Sequence, residues 1–176
     1  MTQRVQRIVD ASRRYGGDGQ RVLVRAVVER AIALVAPLCE HASVTCVAEG
    51  DLALEAHIDE QRTLQVLTSV MVNGLEAMPD GGRMRLRVGS RDVPKPPDVR
   101  FVPGRYVSIA VIDEGTGLTK EQISRLFELF YAEGHKGGWG LVLCQAIMRE
   151  QGGFLSVESE PQVGSTLTLH VPMRAA

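Results

Sequence analysis

The chain's 176 residues fall within the usual size of a single domain, and a hydrophobic content of 44% is enough to bury a substantial core. Twenty Lys and Arg against 21 Asp and Glu leave a formal charge of −1, which argues against the broad basic surface of a nucleic-acid binder or a membrane-surface protein. Cys39, Cys46 and Cys144 are scattered without Cys-x-x-Cys spacing, so neither a disulfide framework nor a structural zinc site is expected, and they read as buried thiols.

No apolar run approaches the ~20 residues needed to cross a bilayer. The start Met1-Thr2-Gln3-Arg4-Val5 lacks a signal-peptide core, so a cytoplasmic segment without direct membrane contact is expected. Val5, Ile8 and Val9 have helical spacing up to the break Tyr15-Gly16-Gly17-Asp18-Gly19, which divides residues 1–19, a terminal helix and hinge, from one domain over 20–176.

Val24, Val27, Val28, Ala31, Leu34 and Val35 form a stripe at i, i+3, i+4 and i+7, predicting an amphipathic helix over 22–36 that Pro37 kinks or ends. Residues 44–48 and 52–58 read as strands. From Asp59 to Met78 the positions Leu64, Leu67, Met71, Leu75 and Met78 recur every three or four residues, a helix of about five turns. Ser69, Asn73, Glu76 and Ala77 share its adjacent face. A lone Asn on a helix is commonly solvated, but Asn73 stands among Val70, Met71, Val72 and Leu75, which favours a half-buried amide able to reach a metal ion or phosphate oxygens.

Gly81-Gly82 make a turn, and Arg83-Met84-Arg85-Leu86-Arg87-Val88 alternates as a strand whose arginine face is either an anion site or, more simply, solvated. Residues 90–104 carry four prolines and read as an exposed, mobile loop. The β-branched run Tyr106 to Ile112 reads as a buried strand delivering Asp113 to an edge. There Gly115 and Gly117 allow turn geometry and let a flat ligand approach the main chain. Thr119 and Gln122 have capping-box spacing for a helix through Ile123, Leu126 and Phe127. Tyr131 to Gly137 form a short loop, and Gly138-Trp139-Gly140 open a helix from Leu141 to Gln151 whose free N–H groups suit phosphates. Residues 154–158 and 165–171 read as a terminal antiparallel pair turning at 161–164.

The Asn73 helix, Asp113-Glu114-Gly115-Thr116-Gly117, Phe127-Glu128-Leu129-Phe130, Gly138-Trp139-Gly140-Leu141 and Gly164-Ser165-Thr166, in this order and spacing, resemble the nucleotide-binding domain of sensor histidine kinases. These belong to the wider GHKL group with the Bergerat ATP-binding fold. The resemblance runs from about Val22 to Pro172. It implies an α/β fold: a two-layer sandwich of one mixed, mostly antiparallel sheet with three main helices on one face. It also implies ATP and Mg²⁺ as cofactors. Asp113 would take the adenine amino group, with Ala77, Gly115, Gly117 and Thr166 lining the base. Asn73 would ligate Mg²⁺, and Lys136, Gly138, Trp139, Gly140 and Leu141 would meet the phosphates. The role of Thr166 rests on resemblance alone.

The sequence departs from the family at Gly74, where Ala is usual, at Lys136 and Trp139 within Gly-x-Gly-Leu-Gly-Leu, and in the shortness of the loop over the nucleotide. Hydrolytic members also place a Glu one turn before the Asn; Ser69 stands there, and a hydroxyl is no effective general base unaided. The leading expectation is therefore a histidine-kinase catalytic domain. It would donate the γ-phosphoryl group to a histidine on a separate dimerisation and phosphotransfer domain, upstream of a response regulator. A regulatory module with weak or lost ATP binding and a serine kinase of the anti-sigma type are the alternatives.

Overall fold

The structure is a computed structural model, and it describes residues 19–97, 101–126 and 138–173. The elements in chain order are β1 (Gln20–Leu23), α1 (Val24–His41), β2 (Val44–Gly50), β3 (Glu55–Ile58), α2 (Glu60–Glu76), β4 (Gly82–Val93), β5 (Gly104–Asp113), α3 (Lys120–Arg125), α4 (Gly138–Glu150), β6 (Phe154–Glu160) and β7 (Gly164–Pro172). A five-stranded sheet has the order β2-β4-β5-β7-β6, and β1 pairs with β3 in a separate two-stranded ribbon. Only β2 and β4 run parallel; β4-β5, β5-β7 and β7-β6 are antiparallel. A parallel neighbour requires a crossover, which β3 and α2 supply. The result is the expected mixed, mostly antiparallel α/β sandwich.

Helices α1, α2 and α4 form the second layer, with α2 in contact with both others. The strand period of two sorts the sheet residues. Val107, Ile109 and Val111 of β5 and Leu167, Leu169 and Val171 of β7 are buried in the core. Val66, Leu67, Val70 and Met71 of α2 are fully buried above them, each worth about 1.5–3 kcal/mol relative to exposure. Two ties hold the helices at the far end from Asp113. The Gln151 side-chain oxygen accepts from the Asp59 N–H (2.8 Å) and the Thr63 hydroxyl (3.1 Å), and Arg62 pairs with Glu150.

Several boundaries differ from the sequence reading. The stripe from Val22 belongs first to β1, and the helix then runs through Pro37 to His41. Pro37 and Ala33 are both exposed, so the carbonyl that loses its helical partner can take water. Strand β4 continues to Val93, with Ser90 paired to Val107 and Asp92 to Arg105, so the expected loop begins later. That loop is not wholly exposed either: Phe101 is buried with Val93, Tyr106 and Phe154, its ring 5.4 Å from Phe154, on the face of the sheet away from the helices. The arginine face of β4 is salt-bridged in part, with Glu49 of β2 2.7 Å from Arg87 and 4.0 Å from Arg85, which favours a solvated face over an anion site. Residues 1–18, Phe127, Phe130 and the loop Tyr131–Gly137, including Lys136, lie outside the described residues.

Candidate functional site

Helix α2 is capped at its start by Asp59, whose carboxylate accepts the Arg62 N–H (3.1 Å), and at its end by Ala77. That end is docked on the glycine turn: the Ala77 carbonyl accepts the Thr116 N–H at 3.0 Å. On the other side the Gln162 N–H donates to the Thr116 carbonyl (2.8 Å) and the Leu118 N–H to Ser159 Oγ (2.8 Å), so the turn is clamped between α2 and the β6-β7 hairpin. The glycines serve this clamp. A Cβ on Gly115 would stand 2.6 Å from the Ala77 oxygen, and one on Gly117, where φ is +65°, would stand 2.0 Å from the Glu160 oxygen. On the Cβ side of each glycine stands the chain's own backbone, and the turn geometry expected at Gly117 is there.

Asp113 is the last residue of β5, on the helix-facing side, 4% exposed. Its Oδ1 accepts the N–H of Gly115 at 2.9 Å and of Ser165 at 3.2 Å. Among the described residues Oδ2 has no donor. Burial pushes the carboxyl above its ordinary range, and the two backbone donors pull it back in part. The carboxylate is thus held by one oxygen, with the other left for a ligand.

Gly74 of α2 lies beside it: the position of a Cβ there is 3.5 Å from Asp113 Cβ and 3.7 Å from Oδ2. One helical position away, Asn73 Nδ2 is buried without a hydrogen-bond partner among the described residues. A buried amide left open costs roughly 1–3 kcal/mol, so this donor is available to a group outside the described residues. The amide oxygen and nitrogen exchange places by a half-turn, so the same side chain can present an oxygen to a cation. No group of three or more His, Cys, Asp or Glu capable of holding a metal occurs among the described residues. A cation here would therefore be held by Asn73 with ligand oxygens, the manner in which Mg²⁺ usually sits on phosphates. The residues present fit Mg²⁺ and a nucleotide in this sense.

Ser69, one turn before Asn73, faces the start of α4. Its Oγ is 3.0 Å from where a Cβ on Gly140 would stand, and it touches Cys144, whose thiol burial raises and the hydroxyl lowers. Gly138, Trp139 and Gly140 form the first turn of α4, with Gly140 set against Ser69 of α2. Leu141 is buried in the core and can offer only its backbone.

Thr166 does not join this group. Asp113 pairs with Ser165 and Ile112 with Thr166, so Thr166 points to the opposite face of the sheet. The residue beside Asp113 is Ser165, 8% exposed, whose Oγ is 2.9 Å from Ser159 Oγ. Sequence reading missed Ser165 because a one-residue difference in register reverses the face, and register is set by pairing that no local pattern displays. It also missed Ser159, a serine without any motif of its own. A separate cleft of about 1010 Å³ opens at the other end of β5, between the β1-β3 ribbon and Gly104 to Tyr106, and none of the candidate residues lines it.

A three-helix layer over a mixed sheet, with a half-held carboxylate at a strand end and an open amide on the adjoining helix, defines a nucleotide-binding domain of the GHKL type. The chain belongs to the family of histidine kinase-, DNA gyrase B- and HSP90-like ATPases, whose pattern matches residues 58–175. Among curated relatives, Sporulation kinase D of Bacillus subtilis is 34% identical over 113 residues, covering 64% of this chain and 20% of the relative. Sensor histidine kinase RcsC of Salmonella typhimurium is 30% identical over 138 residues, covering 74% of this chain and 13% of the relative. The chain thus spans a fifth or less of either protein. Of solved structures, full-length ShkA in complex with AMPPNP has a TM-score of 0.74 at 20% identity, over 90% of this chain and 32% of that one. The catalytic domain of histidine kinase ThkA has a TM-score of 0.68 at 20% identity, over 89% and 97%. At these identities the structures establish the fold.

Proposed function

We propose that this chain is the ATP-binding catalytic domain of a two-component sensor histidine kinase, donating the γ-phosphoryl group of ATP to a histidine on a separate dimerisation and phosphotransfer domain. The observation that carries the reading is the pairing of Asp113, with Oδ1 held and Oδ2 open, and Asn73, whose buried amide has no partner among the described residues. Asp113 Oδ2 accepts the exocyclic amino group of adenine. Asn73 would hold Mg²⁺, which would supply charge neutralisation to the phosphates. Lys136 and the backbone of Gly138, Trp139, Gly140 and Leu141 take the phosphate oxygens, and Ala77, Gly115, Gly117 and Ser165 bound the base.

The kinase side of the family is favoured over the hydrolytic side by Ser69. Its hydroxyl is engaged with Cys144 under Gly140 and supplies no carboxylate for water activation. Catalysis is then positioning and charge stabilisation of a loose phosphoryl transition state. Residues 20–176 are the catalytic domain, the helical spacing and glycine break in residues 1–19 suit the remnant of a dimerisation helix with its hinge, and a response regulator is the downstream acceptor. The setting is cytoplasmic, where ATP is available; no helix among the described residues is long and apolar enough to cross a membrane.

The test is calorimetric titration with ATP in the presence and absence of Mg²⁺. It is followed by incubation with labelled ATP and a supplied histidine-kinase dimerisation domain. Saturable, Mg²⁺-dependent binding and transfer of label to that domain are expected. Absence of ATP binding would leave the regulatory-module reading in its place.

A further inference from the structure

Cys39 and Cys46 stand apart from the nucleotide site and have no part in it. Cys39 lies on the inward face of the last turn of α1, 5% exposed, and belongs to the core cluster; Cys46 packs against that cluster from β2. The pleat fixes where Cys46 points. It pairs with Met84, which is fully buried on the helix side, while its neighbours Thr45 and Val47 are exposed. Only Ala42 and Ser43 connect α1 to β2, so the end of the helix turns directly into the strand, and Cys39 and Cys46 both face the same helix-side core. Each thiol perturbs the other's ionisation. Cys46 is half-buried on an edge strand, open to a small reagent, whereas Cys144 is 2% exposed and paired with Ser69.

We propose that Cys39 and Cys46 are a redox modification site, closed by a low-molecular-weight disulfide into an intramolecular disulfide that staples the end of α1 to edge strand β2. The Cys46 thiolate attacks one sulfur of the oxidant, oxidised glutathione for example, and expels one glutathione thiolate. Cys39 then attacks the Cys46 sulfur and expels the second. Each protein thiol gives up its proton to a departing thiolate, so two thiols are oxidised as one disulfide is reduced to two thiols. Burial raises both thiols, Cys46 up to about 12, so the thiolate fraction is small near neutrality and closure speeds up nearly tenfold per unit of pH. High-pKa thiols are also poor leaving groups, which makes the closed form slow to reduce. The stapled turn backs the nucleotide site: the Ser43 carbonyl accepts the Gly82 N–H at 3.3 Å, beside the loop that follows Ala77.

The experiment exposes the native chain to oxidised glutathione at pH 7, 8 and 9, alkylates the remaining thiols after denaturation, and digests with trypsin. Both cysteines fall in the peptide Ala31–Arg62. The expected product is that peptide lighter by two hydrogens and unalkylated, formed faster at each higher pH, with Cys144 alkylated. The oxidised protein should unfold at a higher urea midpoint than the reduced one. Cys39→Ala should instead keep a stable glutathione adduct on Cys46; should that variant fail to fold, Cys46→Ala should give no oxidised form of the peptide. A stable glutathione adduct on Cys46 in the unmutated chain, or full alkylation of both thiols after exposure at pH 9, overturns the proposal.

Discussion

The Cε methyl of Met84 stands 2.8 Å from where a Cβ on Gly74 would be, and Met84 is the direct cross-strand neighbour of Asp113. The glycine that departs from the family's alanine is thus the counterpart of a long side chain arriving from β4, and together they form the floor under the Asp113 carboxylate. Gly74→Ala gains about 1 kcal/mol of helix propensity but overpacks against Met84 at about 1–3 kcal/mol. Met84→Val relieves the overlap. The two changes should be more stable together than the sum of the singles by about 1 kcal/mol or more, measured by urea unfolding in a double-mutant cycle. Simple additivity would mean that the two residues do not constrain each other.

Asp113→Asn should separate function from stability. The amide oxygen can still accept from Gly115 and Ser165, but the charged acceptor at Oδ2 is gone, so ATP affinity should fall by about 1.5–3 kcal/mol. The folded-state pKa of Asp113 is raised, so the folded chain holds this proton more tightly than the unfolded one. Stability is therefore lost as pH rises from the unfolded value, about 4, through the folded one. The Asn variant lacks that loss and should melt higher than the parent at pH 7 without nucleotide. Calorimetry and thermal unfolding on the same samples check both parts, and unchanged ATP affinity would remove Asp113 from the adenine site.

Asn73→Ala should weaken ATP binding more with Mg²⁺ than without it, because only a metal ligand produces that difference. In the absence of nucleotide the same change should cost little stability, since it deletes a buried amide donor that has no partner. Equal losses of affinity in the two titrations would make Asn73 a structural residue.

The isolated chain should turn ATP over near background, since Ser69 provides no general base, a contribution worth about 10²–10⁴-fold. Ser69→Glu should raise hydrolysis, and the combination with Asn73→Ala should abolish the gain. Substantial turnover by the unmodified chain would show that another group activates water.

His170 gives the fold its own pH dependence. It is 1% exposed, stacked on Phe154 at 4.4 Å and 2.8 Å from Ser156 Oγ through Nε2, while Nδ1 is buried without a partner. Burial, then the charge of Arg91, lowers its pKa to about 4. Below the unfolded value of about 6.5 the unfolded chain takes a proton that the folded chain refuses. Stability should fall by roughly 2–4 kcal/mol between pH 7 and 4. His170→Gln should flatten that part of the profile in urea titrations, and an unchanged slope would place the titrating group elsewhere.

The sequence by itself determined the family and the order of its elements. Periodicity of 3.6 located the long helices and alternation located the strands, and Asn73, Asp113 and the glycine motifs in their order and spacing carried the resemblance, because these are signals read along the chain. The capping box at Thr119 and Gln122 was equally legible, and both of its hydrogen bonds are made. What the tertiary structure alone decided was everything that depends on pairing between distant segments. Register set Ser165 rather than Thr166 beside Asp113, since a shift of one residue turns every side chain to the other face. Strand order made Met84 the partner of Gly74 and gave the glycines at 115 and 117 backbone neighbours from α2 and β6. It also turned Cys39 of α1 and Cys46 of β2 toward the same core, because the facing of side chains from different elements is fixed by how layers pack and not by the spacing of letters in the chain.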